Sequence, residues 1–360
     1  MSTVFLIGAT GYIGGAVLVE LQRAYPTFKF KALARDVAAV DAFNRAAGPN
    51  DAKVEAVKGS FEDSELVTRL TYEADIVIAT TDAGNVGLKD ALLKGFKKRF
   101  DDGKPVGAYI HTGGAANFLD GTKEGKYDPT AKIWTDDERD IRQLNETMVN
   151  GQVDIPLLKA QEDGYLNAYI IIPGGIHGIG GGPLKRPSMV YKLLLADALQ
   201  NGKLTYIGEG TNVFSWVHID DLVLIYVNAF RRLVEANGKK LLTSPYERYV
   251  IAGRQFTEMR QVAAWMAAEL FKLGKVDSPE AVSIPLSKAG PIATVMTSQS
   301  ALYRIGRAYT LGWKIISDCP TLQETLADDL RVTVGNGKSL DSVSVLSERF
   351  SAVAGSTERV

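Results

Sequence analysis

Val4-Phe5-Leu6-Ile7-Gly8-Ala9-Thr10-Gly11-Tyr12-Ile13-Gly14-Gly15 is the stretch that decides the fold. Four apolar residues make a buried strand, and glycines follow at intervals of three. An amphipathic helix then opens, with Ile13, Val17, Leu21 and Ala24 on one face. Gly8 lets the chain leave the strand in a tight turn, Gly11 presents backbone with no Cβ in the way, and Gly14 lets the helix lie close on the sheet. Free N–H groups at the helix start favour a phosphate there. A second strand is expected over residues 28–34, which gives the strand, turn, helix, strand order of a dinucleotide-binding unit.

The spacing Gly8-x-x-Gly11-x-x-Gly14 resembles the short-chain dehydrogenase/reductase superfamily, and within it the extended or atypical branch of NAD-dependent epimerases and dehydratases. That resemblance implies an α/β fold: a Rossmann-type doubly wound parallel sheet with a smaller C-terminal substrate lobe. Residues 1–175 are expected to form the core, with 212–252 returning to it. Residues 176–211 and 253–334 would build the lobe, and 335–360 a tail. Thr10, Tyr12 and Ile13 fall within the cofactor-binding turn.

Composition narrows the function classes. The chain has 360 residues, 46% hydrophobic and 23% charged, with a net charge of −1 and no basic tract, so nucleic acid and anionic membrane are poor partners. No apolar run is long enough for a membrane span, and strand one begins too early to leave room for a signal peptide. Cys319 is the one cysteine, which fits a reducing, cytoplasmic setting. Three scattered histidines and no cysteine cluster give no structural zinc pattern, and no metal is expected.

Along the chain, strand two ends at Arg35-Asp36. At this tip a carboxylate accepts from a ribose 2′-OH, whereas an arginine accommodates a 2′-phosphate. Arg35 comes first and favours NADP(H); Asp36 leaves NAD(H) open. Ser60 and Phe61 follow strand three, where the resemblance puts the adenine contact; Ser60 replaces the family's acid. Strand four runs into Thr80-Thr81-Asp82, expected beneath the cofactor ribose, with Asp82 either functional or capping the next helix.

Strand five, residues 107–111, delivers Thr112, which matches the hydroxyl that in the superfamily holds a substrate carbonyl; it could equally cap a turn. His111 should point the other way and pack. After strand six comes Pro173-Gly174-Gly175-Ile176-His177-Gly178-Ile179-Gly180-Gly181-Gly182-Pro183. It resembles the proline-led loop that packs near the nicotinamide, with Pro173 and Gly174 on the cofactor. His177 is read either as substrate-facing or as structural. Thr112 and His177 are both expected to be at least partly exposed. The segment Val217-His218-Ile219-Asp220-Asp221-Leu222 resembles the joint between lobe and core, with Asp220 or Asp221 as cap of the following helix.

The resemblance breaks at the chemistry. The superfamily uses Tyr-x-x-x-Lys on the helix after strand five, where the lysine lowers the tyrosine pKa. Only Tyr25 and Lys29 have that spacing, and they precede strand two. A helix expected over 136–150 instead offers Asp137, Glu138, Arg139, Asp140 and Arg142, similar to fungal members that also lack the pair. These charges form either a solvated face or, through Arg139 or Arg142 with Asp140 or His177 trading protons, a substrate site.

The resulting expectation is an NADP(H)-dependent oxidoreductase on a small carbonyl or alcohol metabolite with non-standard acid/base residues. The alternatives are a non-redox isomerase, epimerase, lyase or cyclase that retains NAD(P), and an NADP redox-sensing binding protein. The partner is a small-molecule substrate, and homodimerisation through the helices after strands four and five is usual for the family.

Overall fold

The computed structural model describes residues 2–316 and 318–336, so nearly all of the expected tail lies outside the described residues. In chain order the first half contains β1 (Thr3–Ile7), α1 (Tyr12–Ala24), β2 (Lys29–Ala34), α2 (Ala38–Ala46), β3 (Val54–Lys58), α3 (Ser64–Glu73), β4 (Ile76–Ala79), α4 (Val86–Asp101), β5 (Gly107–Thr112), β6 (Trp134–Thr135), α5 (Glu138–Ile141) and α6 (Gly151–Glu162). The second half contains β7 (Leu166–Pro173), β8 (Gly175–His177), α7 (Met189–Asn201), β9 (Thr205–Ile207), β10 (Val213–His218), α8 (Ile219–Ala236), β11 (Tyr249–Ala252), β12 (Gln255–Glu258), α9 (Met259–Lys272), β13 (Val282–Ile284), α10 (Pro291–Thr297), β14 (Tyr303–Arg304), α11 (Arg307–Thr310) and α12 (Leu322–Gly335).

Seven strands form one parallel sheet in the order β11-β7-β5-β4-β1-β2-β3. The chain runs outward from β1 to β3, then crosses to β4 and continues the other way. The switch between β1 and β4 opens a crevice at their C-terminal ends, where ligands of such sheets bind. Successive residues of β1 serve opposite faces, which is the period of two expected of a strand. Val4 and Leu6 join the core built with α1 and α8, while Phe5 and Ile7 join the core built with α3, α4 and α6. Because helices cover both faces, the strands read as apolar runs rather than as alternations.

A third core gathers Leu193 and Leu194 of α7, Val262, Met266 and Leu270 of α9, and Leu322, Leu326 and Leu330 of α12 around Trp216 of β10. Beside it lies a three-stranded sheet in the order β12-β10-β8. The doubly wound parallel sheet with an appended helical lobe is the fold that the sequence implies. No helix among the described residues is long and apolar enough to cross a membrane.

Three local expectations fail. Residues 136–150 hold only the single turn of α5, and the long helix is α6, one segment later. Asn145 closes a side-chain turn on Thr147, and the chain doubles back so tightly that a Cβ on Gly151 would lie 2.0 Å from the Asn145 carbonyl oxygen. Pro156 inside α6 disguises that helix in the sequence. Phe256-Thr257-Glu258, whose sequence reads as the opening of a helix through Leu270, belong to a strand, with α9 starting after them. The cap of α8 is His218, whose Nδ1 accepts from the Asp220 N–H at 3.2 Å, and neither Asp220 nor Asp221. Asp221 is buried and takes the Ile316 N–H and Arg254 instead.

Candidate functional site

The glycine turn is held by contacts that no side chain could share. Gly8 has φ +88°, and a Cβ on Gly14 would lie 2.2 Å from the Gly8 carbonyl oxygen and 2.4 Å from the Thr80 hydroxyl. Helix α1 therefore sits directly on the strand end, with Gly11 as its N-cap and no side chain capping it. Thr80, at the end of β4, donates its hydroxyl towards the carbonyls of Ile7 and Gly8, 3.3 Å from each. The result is a backbone cradle with a free helix start, and Gly8, Thr10, Gly11, Tyr12, Ile13 and Gly14 line or support it. Those residues fit a bound pyrophosphate: the glycines leave room, and the helix N-terminus supplies donors.

At the end of β2 the two candidate ribose residues separate. Asp36 turns its carboxylate to the Ala38 N–H at 3.0 Å and so serves the start of α2. Arg35 is exposed, and no hydrogen bond or ion pair among the described residues engages its guanidinium. Past β3, the Ser60 hydroxyl accepts from the Glu62 N–H, and Phe61 packs half-buried against the core. Thr81 is half-buried beyond Thr80. Asp82 accepts from the Gly84 N–H, while the cap of α4 is Asn85.

The β5 end differs from what the sequence led us to expect. Thr112 is 5% exposed, and its hydroxyl lies 2.6 Å from the Tyr226 hydroxyl on α8, inside the core rather than in the crevice. Its neighbour His111 points to the opposite face, as the pleat requires. There its Nδ1 meets the Tyr109 hydroxyl at 3.0 Å and its Nε2 lies 3.7 Å from Asp154. Asp154, on the first turn of α6, is fully buried and accepts from Tyr249 at 2.8 Å and from Asn117 at 2.9 Å. Burial pushes its carboxyl up to about 7, although Tyr249 and Asn117 oppose the shift. Burial also pushes His111 down to about 4.

The loop after β7 folds back over the cradle. The Tyr12 hydroxyl donates to the Gly178 carbonyl at 2.5 Å, and Arg186 donates to the Thr10 carbonyl at 3.2 Å. A Cβ on Gly182 would lie 3.0 Å from the Gly15 carbonyl carbon. Gly174 is squeezed at the loop's start, where a Cβ would lie 2.3 Å from the Ser215 carbonyl oxygen. Pro173 ends β7, buried beside Ala252 of β11.

His177 is 3% exposed, so it too departs from the expected exposure. Its Nδ1 lies 3.0 Å from the Thr325 hydroxyl, and its ring meets the His218 ring edge-on at 5.2 Å. Burial, then His218 and Arg254, push its pKa down to about 3, which keeps it neutral. Asp329, two turns into α12, accepts the Gly178 N–H at 2.8 Å. The loop is thus pinned between α1 and α12.

Arg139 and Asp140 stand apart from this cleft, at the β11 edge of the sheet. Asp140 is buried and takes both the N–H and the hydroxyl of Thr135 at 3.0 Å; Arg139 is exposed. Nearby, Asp136 ties the Ile251 N–H of β11 to the Arg307 N–H of α11, and Arg142 pairs with Glu138 and lies over the Tyr246 ring. These are local ties, and the site residues do not converge here. Among the described residues no group of three or more His, Cys, Asp or Glu could hold a metal.

Comparison with known proteins agrees with this geometry. Residues 1–105 match the NmrA-like family and residues 153–251 the NAD dependent epimerase/dehydratase family. The solved structures that follow share the parallel-sheet fold. A UDP-glucose-4-epimerase from Stenotrophomonas maltophila with bound NAD is similar at 15% identity and TM-score 0.60, over 94% of this chain and all of that one. A UDP-glucose 4-epimerase from Bifidobacterium longum in complex with NAD+ and UDP gives 16% and 0.60, over 93% and 99% of the two chains. A dTDP-glucose 4,6-dehydratase from Bacillus anthracis in complex with NAD gives 15% and 0.56, over 94% and 98%. By sequence the chain is 26% identical over 244 residues to "Oxidase ucsJ" of an Acremonium species; the match spans 62% of this chain and 64% of that relative.

Sequence reasoning missed Asn150, Asn117 and Asp154. Asn150 and Asp154 are four apart at the head of a helix, but Pro156 masked the helix, and nothing local announces that its first turn meets the end of β5.

Proposed function

We propose that the protein is an NADP(H)-dependent oxidoreductase acting on a small carbonyl or alcohol metabolite, with acid/base groups other than a Tyr-x-x-x-Lys pair. The observation that carries this reading is the divided tip of β2: Asp36 is occupied by α2, while Arg35 is exposed and unengaged. A carboxylate free for a 2′-OH would favour NAD(H); a free guanidinium favours a 2′-phosphate. The solved relatives named above hold NAD, so the preference for NADP(H) rests on Arg35 alone.

Hydride transfer is the chemistry the bound cofactor supplies. The chain's share is to hold it: the turn from Gly8 to Gly14 takes the pyrophosphate, Arg35 the 2′-phosphate, Ser60 and Phe61 the adenine side, and Thr80, Thr81, Pro173 and Gly174 the walls of the crevice. Thr112 and His177 can meet a substrate only by leaving Tyr226 and Thr325. The Acremonium relative is an oxidase by name, which favours redox chemistry. The epimerase and dehydratase neighbours support a second reading, in which the same cofactor serves an isomerising enzyme, and the missing Tyr-x-x-x-Lys pair weighs against the redox reading and towards this one. The buried thiol of Cys319 suits a cytoplasmic setting.

Arg35→Ala tests the reading. Wild type should bind NADPH more tightly than NADH and consume NADPH with some member of a panel of small aldehydes and ketones. The variant should lose about tenfold or more in NADPH affinity, the worth of a charge-assisted contact, with NADH affinity unchanged. Equal affinities in wild type would overturn the NADP(H) assignment.

A further inference from the structure

One buried polar network lies beneath the β5 end of the crevice, and the binding scheme above does not use it. Its inner part is His111, Tyr109, Asp154 and Tyr249. Nε2 of His111 and Oδ1 of Asp154 face each other at 3.7 Å, and neither has a partner at ordinary hydrogen-bond distance. The other Asp154 oxygen accepts from Asn117 and Tyr249. No lysine or arginine pairs with Asp154 among the described residues.

Asn150, itself 5% exposed, links the network to the loops that leave β5 and β4. The Asn117 side-chain Oδ1 accepts the Asn150 backbone N–H at 2.7 Å, and the Asn150 side-chain Nδ2 donates to the Gly114 backbone carbonyl at 2.9 Å. Asn150 therefore wedges its carboxamide between the chain leaving β5 and the chain leaving β4. A Cβ on Gly114 would lie 2.8 Å from the Asn150 amide nitrogen, and a Cβ on Gly84 would lie 3.6 Å from its oxygen. Both loops are glycine at the point where the carboxamide enters.

A dinucleotide in a doubly wound sheet lies across the switch point, one half on each side. The β2 and β3 ends carry Arg35 and Ser60, which leaves the β4 and β5 ends for the nicotinamide half. We propose that Asn150 contacts the nicotinamide–ribose half of the bound cofactor, and that Asp154, with His111 behind it, is the positioning group that fixes Asn150 through Asn117. This rests on the NADP(H) reading above and adds the residues that hold the other half. The spare N–H and the oxygen of the carboxamide can each meet a ribose hydroxyl or the nicotinamide amide. Asp154 is held by hydrogen bonds whose strength depends on its protonation. The groups facing it are Tyr109 and His111 of β5, Tyr249 of β11 and Asn117, with His111 pushed down by burial and Asp154 pushed up. The contribution of Asn150 should therefore change with pH around neutrality.

The test compares two probes, NADPH and 2′-phospho-ADP-ribose, which lacks the nicotinamide. Titrations are made by calorimetry on the full chain as wild type, Asn150→Ala and Asp154→Asn. Wild type should bind NADPH more tightly than the fragment. In Asn150→Ala that advantage should shrink about tenfold while fragment affinity stays within about twofold of wild type. In Asp154→Asn the advantage should no longer vary between pH 5.5 and 8. A purely structural role would weaken both probes together. If Asp154→Asn does not fold, Asn150→Ala still decides, since its side chain bonds only the Gly114 carbonyl. An undiminished advantage in Asn150→Ala, or equal binding of both probes by wild type, overturns the inference and leaves the NADP(H) reading standing. Failure of wild type to bind either probe overturns both.

Discussion

The two ends of the crevice are made by different means. At the β1–β2 end the binding surface is backbone: a turn with φ +88° at Gly8, a helix start at Gly11, and a single exposed guanidinium. At the β5 end and in the loop after β7, buried side chains from distant segments pair beneath the crevice. Thr112 meets Tyr226, His111 meets Asp154, and His177 meets Thr325. The first kind of surface is fixed by local steric rules and tolerates almost no change. The second depends on long-range packing, so single groups can change while the sheet stays intact.

That contrast can be broken by mutation. Gly14→Val should have the largest effect: its Cβ would meet backbone at 2.2 Å, which cannot give way, and we expect a loss of about 3 kcal/mol or more, seen as a large fall in Tm. Retained Tm and retained NADPH binding would show that α1 is not held on the strand as described.

Asp154→Asn should come next, as a pH effect. Burial raises the carboxyl in the folded protein above its unfolded value. Its stabilising contribution is then fully present below about pH 4 and is lost as the pH rises through about 7. Wild type should therefore lose on the order of 2–4 kcal/mol of stability relative to the variant over that window, read as a falling Tm. A gap that stays constant with pH would mean that Asp154 does not bind its proton more tightly in the fold.

Thr112→Val keeps the shape but strands the Tyr226 hydroxyl, so stability should drop by about 1–2 kcal/mol with little change in NADPH affinity. A selective loss of turnover with unchanged Tm would return Thr112 to the role of substrate ligand. Arg139→Ala, on the far edge and exposed, should change stability by less than about 0.5 kcal/mol and leave binding alone.

The same contrast explains what the sequence disclosed. The fold was legible because glycine spacing and apolar runs are local signals, and β1, α1 and the strand tips at Arg35 and Thr80 lie where those signals put them. The reacting end was not. Period-two alternation separates His111 from Thr112, but it does not say which face opens on the crevice. The charged run from Asp137 to Arg142 looked like a replacement for the missing pair, yet its backbone closes after one turn at the β11 edge. Asp154 sits in a helix whose Pro156 argues locally against a helix, and its partners come from residues 37 and 95 positions away. His177 faces α12, nearly 150 residues further along, and no local pattern points there.

The most direct test of the account is calorimetric titration of the wild-type protein with NADPH and with NADH, after any carried-through cofactor has been removed. One-to-one binding with a clear preference for NADPH is the predicted result, since the glycine cradle and Arg35 would then act together. Binding of neither nucleotide would contradict the account, because a cradle of this geometry would then be serving some other ligand.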